Sequence, residues 1–353
     1  MLLSGMIVGS LFGYAAQRGR FCIKSTFQDI QLFGDFTRVR LLLVLLLVEL
    51  VGFALIAALG WISPAAKPLY WKANILGGVF FGIGMVLAGG CAGSITYRLG
   101  EGSGLALSAV SGYILASIIS EVGMLNPIVK HLQLTSHIQE AGVPTLHGLL
   151  GLPYPVAALL FAGLILVAWL LVNFRGRLTQ PAGLPPVEFS IPGIEEVKSW
   201  KWLHTGLVLG GAGILAFLLS PATGRNYPLG FTHGYVNLYY YLAGWRDSLA
   251  WDTLLLIGVV MGASVAAVRM REFKLRLPAA RAALQSFSGG CLMGFGAILA
   301  GGCTIGHLVS GIPLLSCGSL LTSLSIISGS WLMTRILIHP KAQSTVPAHN
   351  AAS

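Results

Sequence analysis

Two of the five cysteines in this chain end the same glycine-rich phrase. Gly77-Gly78-x3-Gly82-x-Gly84-x2-Leu87-Ala88-Gly89-Gly90-Cys91 recurs as Gly289-Gly290-x3-Gly294-x-Gly296-x2-Leu299-Ala300-Gly301-Gly302-Cys303, with nine identities at fixed spacing. A third thiol, Cys22, stands between cations in Gln17-Arg18-Gly19-Arg20-Phe21-Cys22-Ile23-Lys24-Ser25. Thiols ligate soft metals, attack as nucleophiles when a base or cation stabilises the thiolate, or donate weak hydrogen bonds while neutral. No CxxC pair or CxxC/HxxxH spacing occurs, which excludes a zinc ribbon or a thioredoxin-like motif. The eight methionines are scattered without the ligand-like repeat that a Cu(I) site would want, so no metal and no cofactor is expected. Cys291 and Cys317 lie among small apolar residues and read as packing.

The elements that hold these thiols must be membrane helices. Of 353 residues 55% are hydrophobic and 10% charged, and the mean hydropathy is +0.79, too little polar surface to coat a soluble globule of this size. Runs such as Leu41 to Leu59 approach the ~20 apolar residues that cross a ~30 Å hydrocarbon core as helix. Their continuous apolarity lacks the alternation of a β-barrel. About nine segments reach membrane scale, at 2–16, 39–62, 73–90, 104–122, 155–173, 204–220, 252–268, 285–301 and 312–334. The expected fold is an all-α polytopic membrane protein with some short or re-entrant helices. The segments before Cys91 and Cys303 are the most glycine-rich; irregular backbone at that depth is tolerated only around an interior path.

Basic loops orient the chain, since Lys and Arg collect on the cytoplasmic side. Arg18, Arg20, Lys24, Arg38 and Arg40 form one cluster; Arg269, Arg271, Lys274, Arg276 and Arg281 form another. With nine spans this places the N-terminus outside and the C-terminus inside. The two cysteine phrases then lie five spans apart and run in opposite directions, an inverted, pseudo-two-fold repeat. A weaker echo pairs Gly5-x3-Gly9 with Gly258-x3-Gly262, six spans apart and therefore parallel, which conflicts with a simple duplication. On that echo Phe21-Cys22 would align with Phe273-Lys274, leaving the third thiol in one half only. The chain divides into a first membrane repeat with its connecting span (1–173), a Pro-containing cytoplasmic linker (174–203), a second repeat (204–340) and a disordered tail (341–353). A net charge of +10 and a pI near 9.6 serve orientation and anionic headgroups of the lipid bilayer, not nucleic acid. Among only 12 acids, Glu49 is the main carboxylate inside an apolar run, equally consistent with helix packing and with ion coupling.

Gln17-Arg18-Gly19-Arg20-Phe21-Cys22 with Ser25-x-Phe27-x-Asp29, Gly89-Gly90-Cys91, and Gly301-Gly302-Cys303-Thr304-Ile305-Gly306 together resemble the YeeE/YedE family of sulfur-compound transporters, over nearly the whole chain. That resemblance implies uptake of thiosulfate or a related small sulfur anion across a bacterial inner membrane, through an hourglass-shaped protein that is not an enzyme. It carries the substrate-contacting role to Cys22, Cys91 and Cys303, and implies a small cytoplasmic sulfur-carrier protein as a partner. Members handling selenium compounds are the nearest alternative. A membrane sulfurtransferase is another, with Cys22 beside Arg20 and Lys24 as its reactive thiol.

Physical chemistry gives the thiols a consistent part. Thiosulfate is a dianion with a soft terminal sulfur, and a neutral thiol can donate to it. A thiolate at 4 Å would repel it by roughly 8 kcal/mol at an effective dielectric near 20. Three weak donors would relay the ion and still release it. Gly89, Gly90, Gly301 and Gly302 would free backbone N–H groups along the path, and Arg20, Lys24 and His307 would add polar support.

Overall fold

The computed structural model describes residues 3–137, 144–178 and 200–342. Fourteen α-helices account for most of them: α1 (Leu3–Arg18), α2 (Ile23–Phe33), α3 (Thr37–Ala58), α4 (Trp71–Leu87), α5 (Ala92–Gly100), α6 (Gly104–Glu121), α7 (Asn126–Leu134), α8 (Leu146–Leu149), α9 (Tyr154–Leu178), α10 (Trp202–Leu219), α11 (Thr232–Leu242), α12 (Trp251–Arg269), α13 (Ala280–Ala300) and α14 (Cys317–Ala342). A π-helical turn, Ile305–Gly311, follows Cys303. Most of the 174–203 linker and nearly all of the 341–353 tail lie outside the described residues. Helix is what an apolar chain must form where no water can satisfy its backbone.

Among the described residues eight helical stretches are long and apolar enough to cross a membrane, α4 and α5 counting together as Trp71–Gly100. The protein is therefore a multi-pass, all-helical membrane protein. The expected first span, 2–16, forms α1, whose 16 residues reach about 24 Å, short of a ~30 Å hydrocarbon core.

Glycines set how these helices meet, because without water-driven association small residues must let backbones touch. Gly77 of α4 faces Gly296 and Ala300 of α13, whereas Gly84 faces Gly289 and Met293, so these two helices run antiparallel. Gly290 and Gly294 lay α13 parallel to α6, against Ala109, Tyr113 and Ser117. Gly78 and Gly82 lay α4 parallel to α14, against Thr322, Ile326 and Ser330.

Gly5, Gly9 and Gly13 of α1 meet Trp251, Leu255 and Val259 in turn, while Gly258 and Gly262 meet Met6 and Ser10, so α1 and α12 run parallel. A Cβ on Gly9 would stand 2.0 Å from the Leu255 carbonyl oxygen. The weaker echo thus has a packing cause: two helices in mutual contact each need a glycine every fourth residue. It need not share the relation between the cysteine phrases.

Candidate functional site

Each of the three thiols sits where a helix begins. Cys22 is the N-cap of α2 and Cys91 the N-cap of α5, both with extended backbone. Cys303 directly precedes Thr304, the N-cap of the π-helical turn. Free N–H groups and the positive end of the helix dipole favour an anion at such places. The chain reaches Cys91 and Cys303 through matching left-handed turns, at Gly89 (φ 71) and Gly301 (φ 80).

The broken helix ends are capped reciprocally. Asn74, three residues before the first phrase, donates to the carbonyl of Ala300 at 3.1 Å; Ser286, three residues before the second, donates to that of Ala88 at 3.3 Å. Gln133 Nε2 donates to the Ile298 and Leu299 carbonyls, each at 3.1 Å. Carbonyls that would otherwise be orphaned at membrane depth are satisfied by side chains.

Past the turns, the two returning segments meet: a Cβ on Gly93 would lie 3.0 Å from Ile305 Cδ1. Gly93 and Ile305 are each two residues beyond their cysteine. Beside this contact the Tyr113 hydroxyl is 2.8 Å from Thr232 Oγ1, the Tyr235 hydroxyl is 2.6 Å from Thr96 Oγ1, and the two rings lie 5.5 Å apart. Phe231, fully buried, packs edge-on against Phe12. Cys303 lines a cavity whose lining includes neither Cys22 nor Cys91.

On the Cys303 side a cavity of about 700 Å³ opens, lined by Lys67, Arg225, Tyr227, Thr232 and Trp251, and reaching Gly302, Cys303 and Gly306. Lys67 Nζ donates to the Gly301 carbonyl at 2.6 Å and lies 5.1 Å from the Tyr227 ring centre. It fits because Gly302 lacks a side chain; a Cβ there would be 2.2 Å from Nζ. Desolvation draws the Lys67 ammonium down to about 8, with the nearby Arg225 charge acting in the same direction. Arg225 stacks between Trp251 at 5.2 Å and Tyr227 at 6.0 Å, its Nη1 donating to the Pro228 carbonyl at 2.6 Å. His307 turns Nδ1 to Ser319 Oγ at 3.1 Å, and its buried Nε2 has no partner among the described residues.

Away from this cavity Cys22 Sγ donates to Ser94 Oγ at 3.3 Å, and Ser94 donates to the Cys91 carbonyl at 3.0 Å. Ser94 occupies the space left by Gly90, where a Cβ would be 2.5 Å from its hydroxyl. Arg20, at φ 50, is committed to two carboxylates, Glu101 and Glu272, each at 2.7 Å. Gln17 also donates to Glu272, at 2.6 Å. Lys24 lies half-buried in the first turn of α2. Glu49 is buried on α3 against Gly213 of α10, and neither of its oxygens has a partner among the described residues. No group of three or more His, Cys, Asp or Glu side chains able to hold a metal occurs among the described residues.

The structure therefore joins Cys22 and Cys91 through Ser94 and sets Cys303 in the cavity with Lys67. Sequence reasoning passed over Lys67, Arg225, Ser94, Tyr113 and Tyr235. Lys67 had a signal: it is a cation in Ser63-Pro64-Ala65-Ala66-Lys67-Pro68, a short loop that the nine-span reading of the sequence puts on the side where the charge rule expects few.

The family profile for sulphur transport matches residues 18–332. The chain belongs to this sulphur-transport family. Over 348 residues it is 37% identical to the thiosulfate transporter TsuA of Spirochaeta thermophila, covering 96% of this chain and 99% of that protein. Thiosulfate transporter TsuA of Escherichia coli is 35% identical over 343 residues, 94% of this chain and 95% of its own length. The probable transporter YedE of Salmonella typhimurium is 34% identical over 90 residues, 25% of this chain and 22% of that one. Family membership thus extends over both glycine phrases and all three thiols.

Proposed function

We propose that the chain takes up thiosulfate across a bacterial inner membrane, with its N-terminus outside and its C-terminus in the cytoplasm. The observation that carries this reading is the cavity lined by Lys67, Arg225 and Cys303, with the other two thiols, Cys22 and Cys91, joined through Ser94 outside its lining. Two relatives named as thiosulfate transporters, matched over nearly their full length, support the same substrate.

In this orientation the loops carrying Lys67 and Arg225 face outward. The cations concentrate the dianion from outside by field focusing, and it settles with its oxygens toward Lys67 and the helix N-terminus beyond Cys303. The Cys303 thiol donates to the soft terminal sulfur. Rearrangement of the Tyr113, Tyr235 and Ile305 layer then passes the ion to Cys91 and Cys22, whose neutral donors hold it loosely enough for release.

The test is uptake of radiolabelled thiosulfate by proteoliposomes, with sulfate, sulfite and selenium oxyanions as competitors. Loss of uptake in Cys22→Ala, Cys91→Ala and Cys303→Ala is expected. Wild-type uptake in all three would sink the relay, and equal competition by sulfate would remove the case for sulfur-selective thiols.

A further inference from the structure

Cys22 and Cys91 belong to segments far apart in sequence, yet a single serine side chain bridges them. Both are buried, Cys22 at 8% exposure and Cys91 at 0%. Ser94 ties them, accepting from the Cys22 thiol and donating to the Cys91 carbonyl. Each cysteine also caps a helix N-terminus, so negative charge forming on either sulfur faces the positive end of a dipole. Cys303 instead lines the cavity that Lys67 also lines. The arrangement is that of a paired dithiol, whereas a relay needs only single donors in sequence.

We propose that Cys22 and Cys91 form a dithiol oxidation site for sulfur–sulfur-bonded dianions, the simplest being tetrathionate, which is two thiosulfates joined through their terminal sulfurs. The inference rests on reading these thiols as part of a sulfur-anion path, since such a path delivers the reagent to buried sulfur. The Cys22 thiolate attacks one of the two inner sulfurs of tetrathionate. The central sulfur–sulfur bond breaks, one thiosulfate leaves with the electron pair, and Cys22 carries a disulfide-linked sulfonate. Cys91 sulfur then attacks Cys22 sulfur, closing the Cys22–Cys91 bond and expelling the second thiosulfate. In total two thiols lose two electrons and two protons, and tetrathionate is reduced to two thiosulfates. With both sulfurs bonded to each other neither can donate to a passing ion, so uptake stops until a dithiol reductant restores it.

The experiment uses the full chain in lipid nanodiscs, treated with tetrathionate or with diamide, quenched in acid, denatured, alkylated and digested without reductant for mass spectrometry. Peptides containing Cys22 and Cys91 should be joined in most molecules and separate on dithiothreitol. In Cys91→Ala the reaction should halt with the thiosulfate-derived adduct on Cys22. Complete alkylation of both thiols after both oxidants, while glutathione in the same tube is oxidised, overturns the proposal, as does a Cys22–Cys303 link. Uptake by untreated liposomes reports separately on the transport reading. Uptake without the disulfide sinks only the oxidation site, and the disulfide without uptake sinks only transport.

Discussion

Removing the charge of Lys67 should weaken thiosulfate capture, and titrating it should do the same reversibly. Nζ lies over Gly302 and Gly306, within 2.2 Å and 3.1 Å of where their Cβ atoms would be, so an ion seated on Cys303 is its immediate neighbour. At about 5 Å and an effective dielectric near 20, an ammonium attracts a dianion by about 7 kcal/mol before either is desolvated. Desolvation cancels most of this, and Lys67→Met should raise KM for uptake by about 10- to 100-fold, equivalent to about 1.4–2.7 kcal/mol. The sign with pH follows from burial, which brings the ammonium to about 8 and so lets it lose its proton at mildly alkaline pH. A bound dianion favours the protonated form, so affinity is full below that value and falls as pH rises through it. Between about pH 7 and about pH 9 the protonated fraction drops about tenfold, and KM should rise by a similar factor. The loaded protein retains its proton, so kcat should hold. Lys67→Arg keeps the charge at all these values and should flatten the profile. The assay is initial uptake rate against thiosulfate concentration, with only the external pH varied. A wild-type KM independent of pH over this range, together with a near wild-type KM in Lys67→Met, would refute the reasoning.

Gly301→Ala should keep the fold at a cost of about 1–2 kcal/mol for a left-handed residue, yet impair uptake because that turn presents Cys303; nothing lies within 4 Å of its Cβ position. Gly9→Ala, whose Cβ would meet the Leu255 carbonyl oxygen at 2.0 Å, should instead lower the melting temperature in detergent sharply by forcing α1 off α12. Arg20→Gln should destabilise by about 1–3 kcal/mol, and Glu272→Gln by less than about 1 kcal/mol. The first leaves both carboxylates without a cation, Glu272 keeping only the Gln17 amide, whereas the second leaves Arg20 paired with Glu101. Equal melting temperatures for these two variants would show that Arg20 is not the shared clasp.

The helices were legible because apolar runs at membrane depth have one outcome. Their glycines were legible as contacts but not as partners. Gly5-x3-Gly9 and Gly258-x3-Gly262 look like a duplication in sequence, and in the structure they form the two sides of one interface. Cys91 and Cys303 announced themselves through the phrase they share, and Cys22 through its cationic surroundings. The same surroundings misdirect at Arg20, whose partners Glu101 and Glu272 lie 81 and 252 residues away and which has no free charge to lend. Tyr113 and Tyr235 gave no local signal, since a tyrosine in an apolar segment becomes informative only when its hydroxyl partner is known.

The two cysteine turns differ most in what fills the space beside the second glycine. At Gly302 the missing side chain admits the Lys67 ammonium; at Gly90 it admits the Ser94 hydroxyl. The backbone is alike and the electrostatics are not. A site that draws a dianion from dilute solution benefits from a cation close by, whereas a site that must release it does not, because a buried cation would hold it by several kcal/mol. Cancelling the charge of Arg20 with Glu101 and Glu272 serves the same end, since an uncompensated guanidinium near Cys22 would trap the ion at its exit. Direction on this reading comes from unequal neighbours around similar thiols, charged at the entrance and neutral at the exit. Placing a lysine at Ser94 should therefore slow release and lower kcat, even though it strengthens binding.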